Sequence, residues 1–370
     1  MSAPMSHHEV RIEGLRKRLV EQNLDGFVVY NFEGSDRANL GYLTGFFGTT
    51  GILIVSSSQQ VLMTDSRYLE RARREHPDFE ITEVDTNRIE QLGARLEEMG
   101  LNQVGIGSKR TSYANYQRIS DAAGSVELVP IEDQVEGLRQ VKDDEELDRI
   151  GAAVALTDRG FEYVLETVSP GMTERELAFK LEFFLREQGA DRLAFPIIAA
   201  AGERGAYPHV VPSNRRIGEG DLLLLDFGAR SGGYCADLTR VVAIGERSER
   251  QQQIYEIVLQ ANQAAIAEIR AGVRAEAVDQ AARRIIKAAG YQENFGHGLG
   301  HGVGLEIHEA PRLGSQSDDL LEPGMVVTVE PGIYLPDWGG IRIEDLVVVT
   351  ENGYEILTGA EKKELQVVPR

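Results

Sequence analysis

The stretch Gly220-Asp-Leu-Leu-Leu-Leu-Asp226 (GDLLLLD) places four leucines in a row directly before an aspartate. A short apolar run of this kind, bounded by a glycine, is typical of a buried β-strand. The stretch GMVVTVE, residues 324–330, has the same form, because it starts at a glycine and ends six residues later in a carboxylate. The two stretches therefore predict two buried strands of similar construction, each ending in an acid.

A second pair of matching spacings precedes these strands. Helical patterns run from Gly171 to Gly189 and from Gly272 to Gly290, 18 residues apart in each case. Two matching spacings in the same order indicate an internal repeat, in which each half is a helix, a loop and a strand ending in a carboxylate. Such halves would pack about a pseudo-twofold axis and bring their acids together. The alternative is chance combined with the common pattern of α/β proteins.

The first third of the chain follows a different pattern. Short β-rich runs such as residues 27–30, 51–55 and 104–106 alternate with helical stretches, as in a small α/β domain. An acid-rich stretch then leads into a long helical pattern that starts near Asp143. We therefore predict an α/β (α+β) fold with an N-terminal domain of residues 1–135 and a C-terminal domain of residues 136–370.

The composition restricts the expected partners and compartment. Acids outnumber bases by 59 to 39 in 370 residues, which gives a net charge of −20. A polyanion of this size repels nucleic-acid phosphates and anionic lipids. The single cysteine, Cys235, excludes a disulfide framework within the chain, and the sequence shows no targeting segment and no membrane span. We expect a cytoplasmic protein that binds neither nucleic acid nor membranes.

Each of the two strands is followed by a return strand that carries a second acid. Four carboxylates thus occupy related places: Asp226, Asp237, Glu330 and Glu344. A lone acid at a strand end is usually exposed, but four acids flanked by Leu, Val and Ile are costly in a core unless they are compensated. Only Arg240 and Arg342 lie close by in sequence. Divalent cations are therefore the expected compensation.

Three of the seven histidines fall in one glycine-rich segment, residues 295–309. These are His297, His301 and His308. The segment matches neither an HExxH zinc motif nor a dinucleotide-binding fingerprint, and we expect its glycines to let the backbone approach a ligand closely. A flexible surface loop is the alternative. Carboxylates with one or two imidazoles favour Mn²⁺, Co²⁺ or Mg²⁺, allow Zn²⁺, and suit a hydrolytic two-metal centre.

In these segments the sequence resembles the pita-bread metallopeptidases, in particular the Xaa-Pro aminopeptidase (aminopeptidase P) and Xaa-Pro dipeptidase (prolidase) group. The matching strings are, in family order, LLLDFGARSGGYCADLTR, GHGLGHGVGLEIHEAP, VVTVEPGIY and GGIRIED. The N-terminal strings YLTGFFGTTGILIV and TDSRYLERA are similar to small bacterial aminopeptidase P-like proteins. The resemblance implies a catalytic pita-bread domain preceded by a creatinase-like domain that serves dimerisation or substrate access.

The resemblance also implies the site residues. Its metal ligands fall on Asp226, Asp237, His301, Glu330 and Glu344. Asp237 and Glu344 would bridge two ions, with Mn²⁺ favoured over Co²⁺ or Zn²⁺, and Glu330 would take the proton from the bridging water. The substrate-binding and oxyanion-stabilising histidines fall on His209, His297 and His308. Arg342 matches an arginine that orients an acid or meets the substrate's carboxylate.

The implied activity is hydrolysis of Xaa-Pro bonds in small peptides by direct attack of a metal-bound hydroxide. The stretch GFFGTTG, residues 45–51, favours an Xaa-Pro aminopeptidase, with an Xaa-Pro dipeptidase acting on dipeptides only as the alternative. A catalytically inactive pita-bread binding protein ranks lower, because all five matched ligand positions carry residues able to bind a metal. The resemblance further implies a homodimer.

Overall fold

The computed structural model describes residues 6–368, which form two compact units. The first unit ends at Arg139 and the second begins at Gln140. The buried Arg139 side chain belongs to the first unit, where it donates to Oδ1 of Asn39 at 2.6 Å. Between residues 6 and 368, no helix combines the length and the apolar character that crossing a lipid bilayer requires.

The first unit is built on a six-stranded mixed sheet. Its elements are α1 (His7–Glu21), β1 (Gly26–Phe32), α2 (Arg37–Thr44), β2 (Thr50–Ser56), β3 (Gln60–Thr64), α3 (Leu69–Glu75), β4 (Glu80–Glu83), α4 (Arg88–Glu98), β5 (Gln103–Gly107), α5 (Tyr113–Ala122), β6 (Glu127–Ile131) and α6 (Glu136–Arg139). The strand order is β4-β3-β2-β1-β5-β6. Strands β1, β2 and β3 pair antiparallel, whereas β3–β4, β1–β5 and β5–β6 are parallel pairs. The predicted alternation of strands and helices is confirmed.

The second unit contains the repeated segments. Its elements are α7 (Asp144–Thr167), α8 (Glu174–Glu187), β7 (Arg192–Leu193), β8 (Ile198–Ala201), β9 (Leu222–Phe227), β10 (Ala229–Ser231), β11 (Tyr234–Cys235), β12 (Leu238–Ile244), α9 (Glu249–Glu268), α10 (Ala275–Ala288), β13 (Gly300–Gly302), β14 (Glu309–Leu313), β15 (Val326–Val329), β16 (Gly332–Leu335), β17 (Gly339–Arg342), β18 (Asp345–Thr350), β19 (Gly353–Ile356) and β20 (Gln366–Val368). Short 3₁₀ turns occur at Gly202–Ala206 and Gln292–Asn294.

The helices of the two repeat halves are equivalent. Helices α8 and α10 each span 14 residues. Each begins three residues after a glycine in the left-handed region, Gly171 at φ 93° and Gly272 at φ 78°. The two glycines also make the same contact, because Gly171 N donates to Ile217 O and Gly272 N to Leu321 O, both at 2.8 Å. The predicted repeat is confirmed.

The strands of the two halves are equivalent as well. Strand β9 pairs antiparallel with β12, and Phe227 lies opposite Leu238. Strand β15 pairs antiparallel with β18, and Val329 lies opposite Asp345. A small hairpin separates the partners in each half, β10–β11 in the first and β16–β17 in the second. In each half the second acid, Asp237 or Glu344, therefore lies beside the strand end at which the first acid, Asp226 or Glu330, is found.

The four leucines of β9 are buried on both faces of their sheet. Leu223 and Leu225 lie in a core with residues of α7 and α8. Leu222 and Leu224 lie in a second core with residues of α9 and α10. Burial on both faces explains why this strand is a continuous apolar run, since polar residues at alternate positions would face a core.

The C-terminal segment contacts both halves of the repeat. Strand β20 pairs in parallel with β12. Shortly before it, Lys362 Nζ donates to Oδ1 of Asn262 at 2.7 Å and to the carboxylate of Asp345. Asn262 is fully buried on α9, and its amide donates to Val329 O at 3.0 Å. The residues next to the two acids of the second half are thus held by the end of the chain.

Candidate metal centre

Three of the four strand-end acids meet in the second unit. Carboxylate oxygens of Asp226, Asp237 and Glu344, the acid trio, lie within 4.8 Å of one another. Asp226 lies on β9, whereas Asp237 and Glu344 directly precede β12 and β18. Because β9–β12 and β15–β18 are equivalent pairs, the internal repeat is itself what brings these acids together.

Glu330 and His301 border the acid trio. His301 Nε2 lies 3.4 Å from Oε1 of Glu330 and 3.7 Å from Oδ2 of Asp237. Glu330 directly follows β15, and His301 lies on β13, which pairs with β15. The structure therefore gathers all five residues that the sequence suggested as metal ligands.

The glycines on either side of His301 lie very close to neighbouring backbone. A Cβ atom at Gly300 would lie 2.1 Å from Thr328 O, and one at Gly302 would lie 2.2 Å from Ala310 O. These two glycines therefore let β13 pack closely against neighbouring backbone. Their effect on the site is indirect, because the close packing fixes the position of His301.

The site is electrostatically unfavourable without added positive charge. Burial raises the pKa of Asp237 and of Glu344 well above the usual range, and the charges of neighbouring acids raise both further. Burial also raises the pKa of Glu330 to about 7. In contrast, burial lowers the pKa of His301 to about 4. The imidazole is then neutral at pH 7 and has a lone pair available for a cation.

Unpartnered oxygen atoms show that the site fits divalent cations. Among the described residues, no group donates a hydrogen bond to the buried atoms Asp226 Oδ1 and Glu344 Oε1. Arg342 contacts the carboxylate of Asp226, and its Nε lies 3.8 Å from Oε2 of Glu330. One guanidinium does not balance four carboxylates. Carboxylate oxygens with a neutral imidazole are a donor set that suits Mn²⁺, Co²⁺ or Zn²⁺.

The second arginine that the sequence offered as a compensating charge lies elsewhere. Arg240 is 1% exposed, and its Nη2 donates to Oδ1 of Asp345 at 3.0 Å. Its Nη1 donates to the backbone oxygen of Glu344. Arg240 therefore holds the start of β18 in place, and its charge is paired with Asp345 and not with the acid trio.

A chain of hydrogen bonds links His297 to the acid trio. Arg342 Nη1 donates to Tyr334 Oη at 2.8 Å, and Arg342 Nη2 donates to Asp226. Since a guanidinium can only donate, the Tyr334 hydroxyl keeps its proton for Nε2 of His297, 2.9 Å away. The other ring nitrogen, Nδ1, faces Gly298 O at 2.8 Å. Burial and the charge of Arg342 lower the pKa of His297 to about 4, which agrees with a neutral ring protonated at Nδ1.

Tyr334 was not among the residues suggested by the sequence, and its contacts give a first prediction. Tyr334→Phe removes only the hydroxyl that joins His297 to Arg342. We expect kcat to fall between about 10-fold and 150-fold, because a hydrogen bond to a charged group contributes about 1.5–3 kcal/mol. The measurement is the steady-state rate of peptide hydrolysis with saturating metal. An unchanged kcat would show that the orientation of His297 does not limit the reaction.

The remaining two candidate histidines are exposed beside the acids. The ring of His308 lies 4.4 Å from that of His301, centroid to centroid. His209 follows the 3₁₀ turn Gly202–Ala206 in an irregular loop. Burial raises the pKa of Asp226, and the charges of Arg342, His209 and His308 oppose that rise. Both exposed histidines therefore lie within electrostatic reach of the acid trio.

Comparison with known proteins identifies the family. Residues 148–351 match Metallopeptidase family M24, and residues 11–141 match the Creatinase/Prolidase N-terminal domain. The chain belongs to metallopeptidase family M24. Because M24 metallopeptidases use divalent metals, the acid-rich centre described above agrees with this membership.

Individual M24 relatives match nearly the whole chain. An Xaa-Pro dipeptidase of Pyrococcus furiosus is 36% identical over 359 residues, which cover 95% of this chain and 99% of that protein. The solved structure of an Xaa-Pro dipeptidase from Bacillus anthracis is 40% identical, with a TM-score of 0.93 and coverage of 97% and 99%. That of an X-Pro aminopeptidase from Thermotoga maritima is also 40% identical, with a TM-score of 0.90 and coverage of 97% and 100%. The predicted family, fold class and enzymatic nature are confirmed.

Proposed function

We propose that this M24 enzyme is an Xaa-Pro dipeptidase, a prolidase that hydrolyses the bond before proline in dipeptides. The proposal rests on its similarity, over 95% of the chain, to the Pyrococcus furiosus protein of that name. The sequence alone favoured an Xaa-Pro aminopeptidase and kept the dipeptidase as the alternative. The similarity to named dipeptidases supports the alternative.

The five gathered side chains are the proposed metal ligands. We assign two divalent cations to Asp226, Asp237, His301, Glu330 and Glu344. Mn²⁺ is the proposed metal, because oxygen donors dominate the set, with Co²⁺ and Zn²⁺ as alternatives. Such cations supply Lewis-acid polarisation of the scissile carbonyl and activation of water.

Glu330 is the acid we assign to proton transfer. Its side chain is 17% exposed, against 13% for Asp226 and 7% for Asp237. Oε2 faces Arg342 at 3.8 Å, while Oε1 faces His301. The most accessible carboxylate can take a proton from the attacking water and deliver it to the proline nitrogen.

The other polar residues divide between substrate contact and support. His209 and His308 are exposed beside the acids, so we assign them to the substrate carbonyl and to the negative charge that develops on its oxygen. Arg342 is buried and already bonded to Asp226 and Tyr334. We therefore assign it to holding Asp226, and not to the substrate's carboxylate.

An Xaa-Pro aminopeptidase is the second candidate. It is favoured by the Thermotoga maritima structure, which has the same 40% identity as the Bacillus anthracis dipeptidase. The two activities differ in whether the site accepts residues beyond the proline. A peptide-length comparison therefore separates them.

The decisive experiment compares Ala-Pro with Ala-Pro-Ala after EDTA treatment, with and without added Mn²⁺. We expect cleavage of Ala-Pro only when Mn²⁺ is restored, and neither Ala-Pro-Ala nor the control peptide Ala-Ala should be cleaved. Cleavage of Ala-Pro-Ala at a comparable kcat/KM would establish the aminopeptidase instead. Failure to cleave either proline peptide would overturn both assignments.

A further inference from the structure

The segment that carries His209 has little regular structure of its own. We call residues 202–213 the His209 loop; it contains the 3₁₀ turn Gly202–Ala206 and no other helix or strand. Tyr207 and Val211, on either side of His209, are 64% and 79% exposed. The position of the histidine therefore depends on side chains that anchor the loop to the rest of the unit.

One buried carboxylate anchors both ends of this loop. Glu174, the first residue of α8, is 0% exposed. Its Oε1 accepts from Ala201 N at 2.9 Å, directly before the loop. Its Oε2 accepts from Ser213 N at 2.9 Å and from Ser213 Oγ at 2.7 Å, at the end of the loop. A single side chain thus fixes the distance between the points where the loop begins and ends.

An arginine within the loop completes the arrangement. Arg204 Nε lies 3.1 Å and 3.0 Å from the two carboxylate oxygens of Glu174. Arg204 Nη2 donates to Val211 O at 2.8 Å, two residues beyond His209. A buried carboxylate is unfavourable unless it is paired and hydrogen-bonded. Here the loop supplies the cation and most of the donors, so the charge of Glu174 and the order of the loop depend on each other.

Comparison of the repeat halves shows that the fold does not require this glutamate. Glu174 lies three residues after Gly171, and the corresponding residue after Gly272 is Ala275. Both residues begin a helix of the same length and both donate to the opposing loop, Glu174 N to Arg215 O and Ala275 N to Asp319 O. Helix α8 is also capped independently of Glu174, by the reciprocal bonds of Thr173 and Glu176. The buried carboxylate is therefore an addition specific to the half that carries His209.

We propose that Glu174 is a positioning residue that holds the His209 loop and thereby sets His209 opposite the acid trio. This inference rests on the proposed function, in which His209 contacts the substrate. Glu174 itself touches neither the acids nor the substrate. Glu174 affects catalysis by fixing the position of the His209 imidazole.

The test replaces Glu174 with glutamine, which keeps the shape of the side chain but removes its charge. The new NH2 group is a hydrogen-bond donor and faces Ser213 and Arg204, which are donors themselves. We expect kcat/KM for Ala-Pro to fall between about tenfold and 100-fold, the usual effect of a displacement near 1 Å in a substrate-orienting group. Glu176→Gln is the matched control, because Glu176 lies in the same helical turn and, within residues 6–368, accepts hydrogen bonds only from Thr173. That variant should retain the native rate, since glutamine also serves in a capping box.

A double-variant comparison separates positioning from general damage. In a His209→Ala background, Glu174→Gln should have no further effect, because both changes remove the same contribution. Metal content per chain should stay at the native value in all variants. If the losses of kcat/KM in the two single variants multiply in the double variant, Glu174 acts elsewhere than on His209 and the inference is overturned. A reduced metal content in Glu174→Gln would overturn it as well.

Limited proteolysis gives a readout that does not depend on activity. Trypsin should cut Glu174→Gln faster than the native chain after Arg204 and Arg215, in and just beyond the His209 loop. Ser213→Ala, which removes one donor and leaves the carboxylate in place, should shift cleavage in the same direction by less. An unchanged cleavage rate at these sites would overturn the inference. An unaffected His209→Ala rate, together with faster cleavage of Glu174→Gln, would instead overturn the substrate role of His209 and leave the anchoring by Glu174 standing.

Discussion

Replacing Asp237 with asparagine is expected to abolish peptide hydrolysis. Asp237 belongs to the acid trio and also lies 3.7 Å from Nε2 of His301, so it faces both donor types of the site. Asparagine keeps the shape but removes the negative charge and replaces one carboxylate oxygen with an NH2 group, which donates hydrogen bonds and does not bind a cation. Loss of cation-based charge stabilisation of about 4 kcal/mol lowers kcat by about 1,000-fold. The measurements are kcat with excess Mn²⁺ and the metal content of gel-filtered protein.

The same substitution should stabilise the metal-free chain. Burial and the charges of Glu344 and Asp226 raise the pKa of Asp237, which shows that an ionised carboxylate is unfavourable there. A neutral amide removes that repulsion, so Tm in EDTA should rise while activity is lost. Asp148→Asn, at an exposed position of α7, is the matched control and should change neither quantity. Native metal content and rate in Asp237→Asn would refute the proposed ligand set.

Adding Mn²⁺ to metal-free protein is expected to raise Tm, and to raise it more at pH 8 than at pH 5. Burial raises the pKa of Glu330 from 4.5 to about 7. Between pH 4.5 and about pH 7, Glu330 keeps a proton in the folded chain that it has released in the unfolded chain. The contribution of Glu330 to the stability of the folded chain is therefore complete below pH 4.5 and is lost as the pH rises through 7. The shift corresponds to about 3 kcal/mol. Cations replace those protons at high pH, where their binding no longer competes with protonation.

The contribution of Glu330 can be isolated by difference. His297 and His301 act in the opposite direction, because burial lowers their pKa to about 4 and their contribution is lost as the pH falls below 6.5. Thermal unfolding of metal-free native chain and of Glu330→Gln, from pH 5 to pH 8, removes this common background. The native chain should lose stability relative to the variant as the pH rises. A constant difference in Tm, or an equal Mn²⁺ effect at pH 5 and pH 8, would contradict the assignment.

The four strand-end acids could be predicted from the sequence because the repeat is visible in short stretches of a few residues. A glycine, a run of apolar residues and a terminal carboxylate recur at fixed spacing, and a pseudo-twofold arrangement of such strands brings their ends together. The four acids could therefore be named from the pattern before their geometry was known, whereas the choice of His301 among the three histidines of its segment came from the resemblance to the pita-bread metallopeptidases. Helix α2 (Arg37–Thr44) had no such signal, because it spans barely two turns and no apolar period can be recognised over that length.

The partners of the arginines could not be predicted. Arg240 and Arg342 have similar places near an acid, yet Arg240 bonds to Asp345 and Arg342 to Asp226. The difference depends on which face of a strand each side chain occupies. Tyr334 could have been found by one further step, because in the β16–β17 hairpin it pairs with Gly340, two residues from Arg342 and so on the same face.

Glu174 illustrates the limit of the repeat as a guide. The repeat predicts a helix at this position, but the other half shows that alanine builds the same helix. The signal that distinguishes the two is a departure from symmetry: a charged residue stands where its counterpart is a buried Ala275. In a duplicated fold, such departures from symmetry indicate residues that are needed for the function of one half and not for the fold that both halves share.

The contacts of Lys362 with the buried residues Asn262 and Asp345 have a consequence for the order of folding. The contacts that steady the neighbours of Glu330 and Glu344 join residues far apart in the sequence, since Lys362 lies 100 positions after Asn262 and β20 lies beside β12. Contacts between residues so far apart in sequence form late in folding. The cation site should therefore reach its final geometry late in refolding, after the two halves of the repeat have formed.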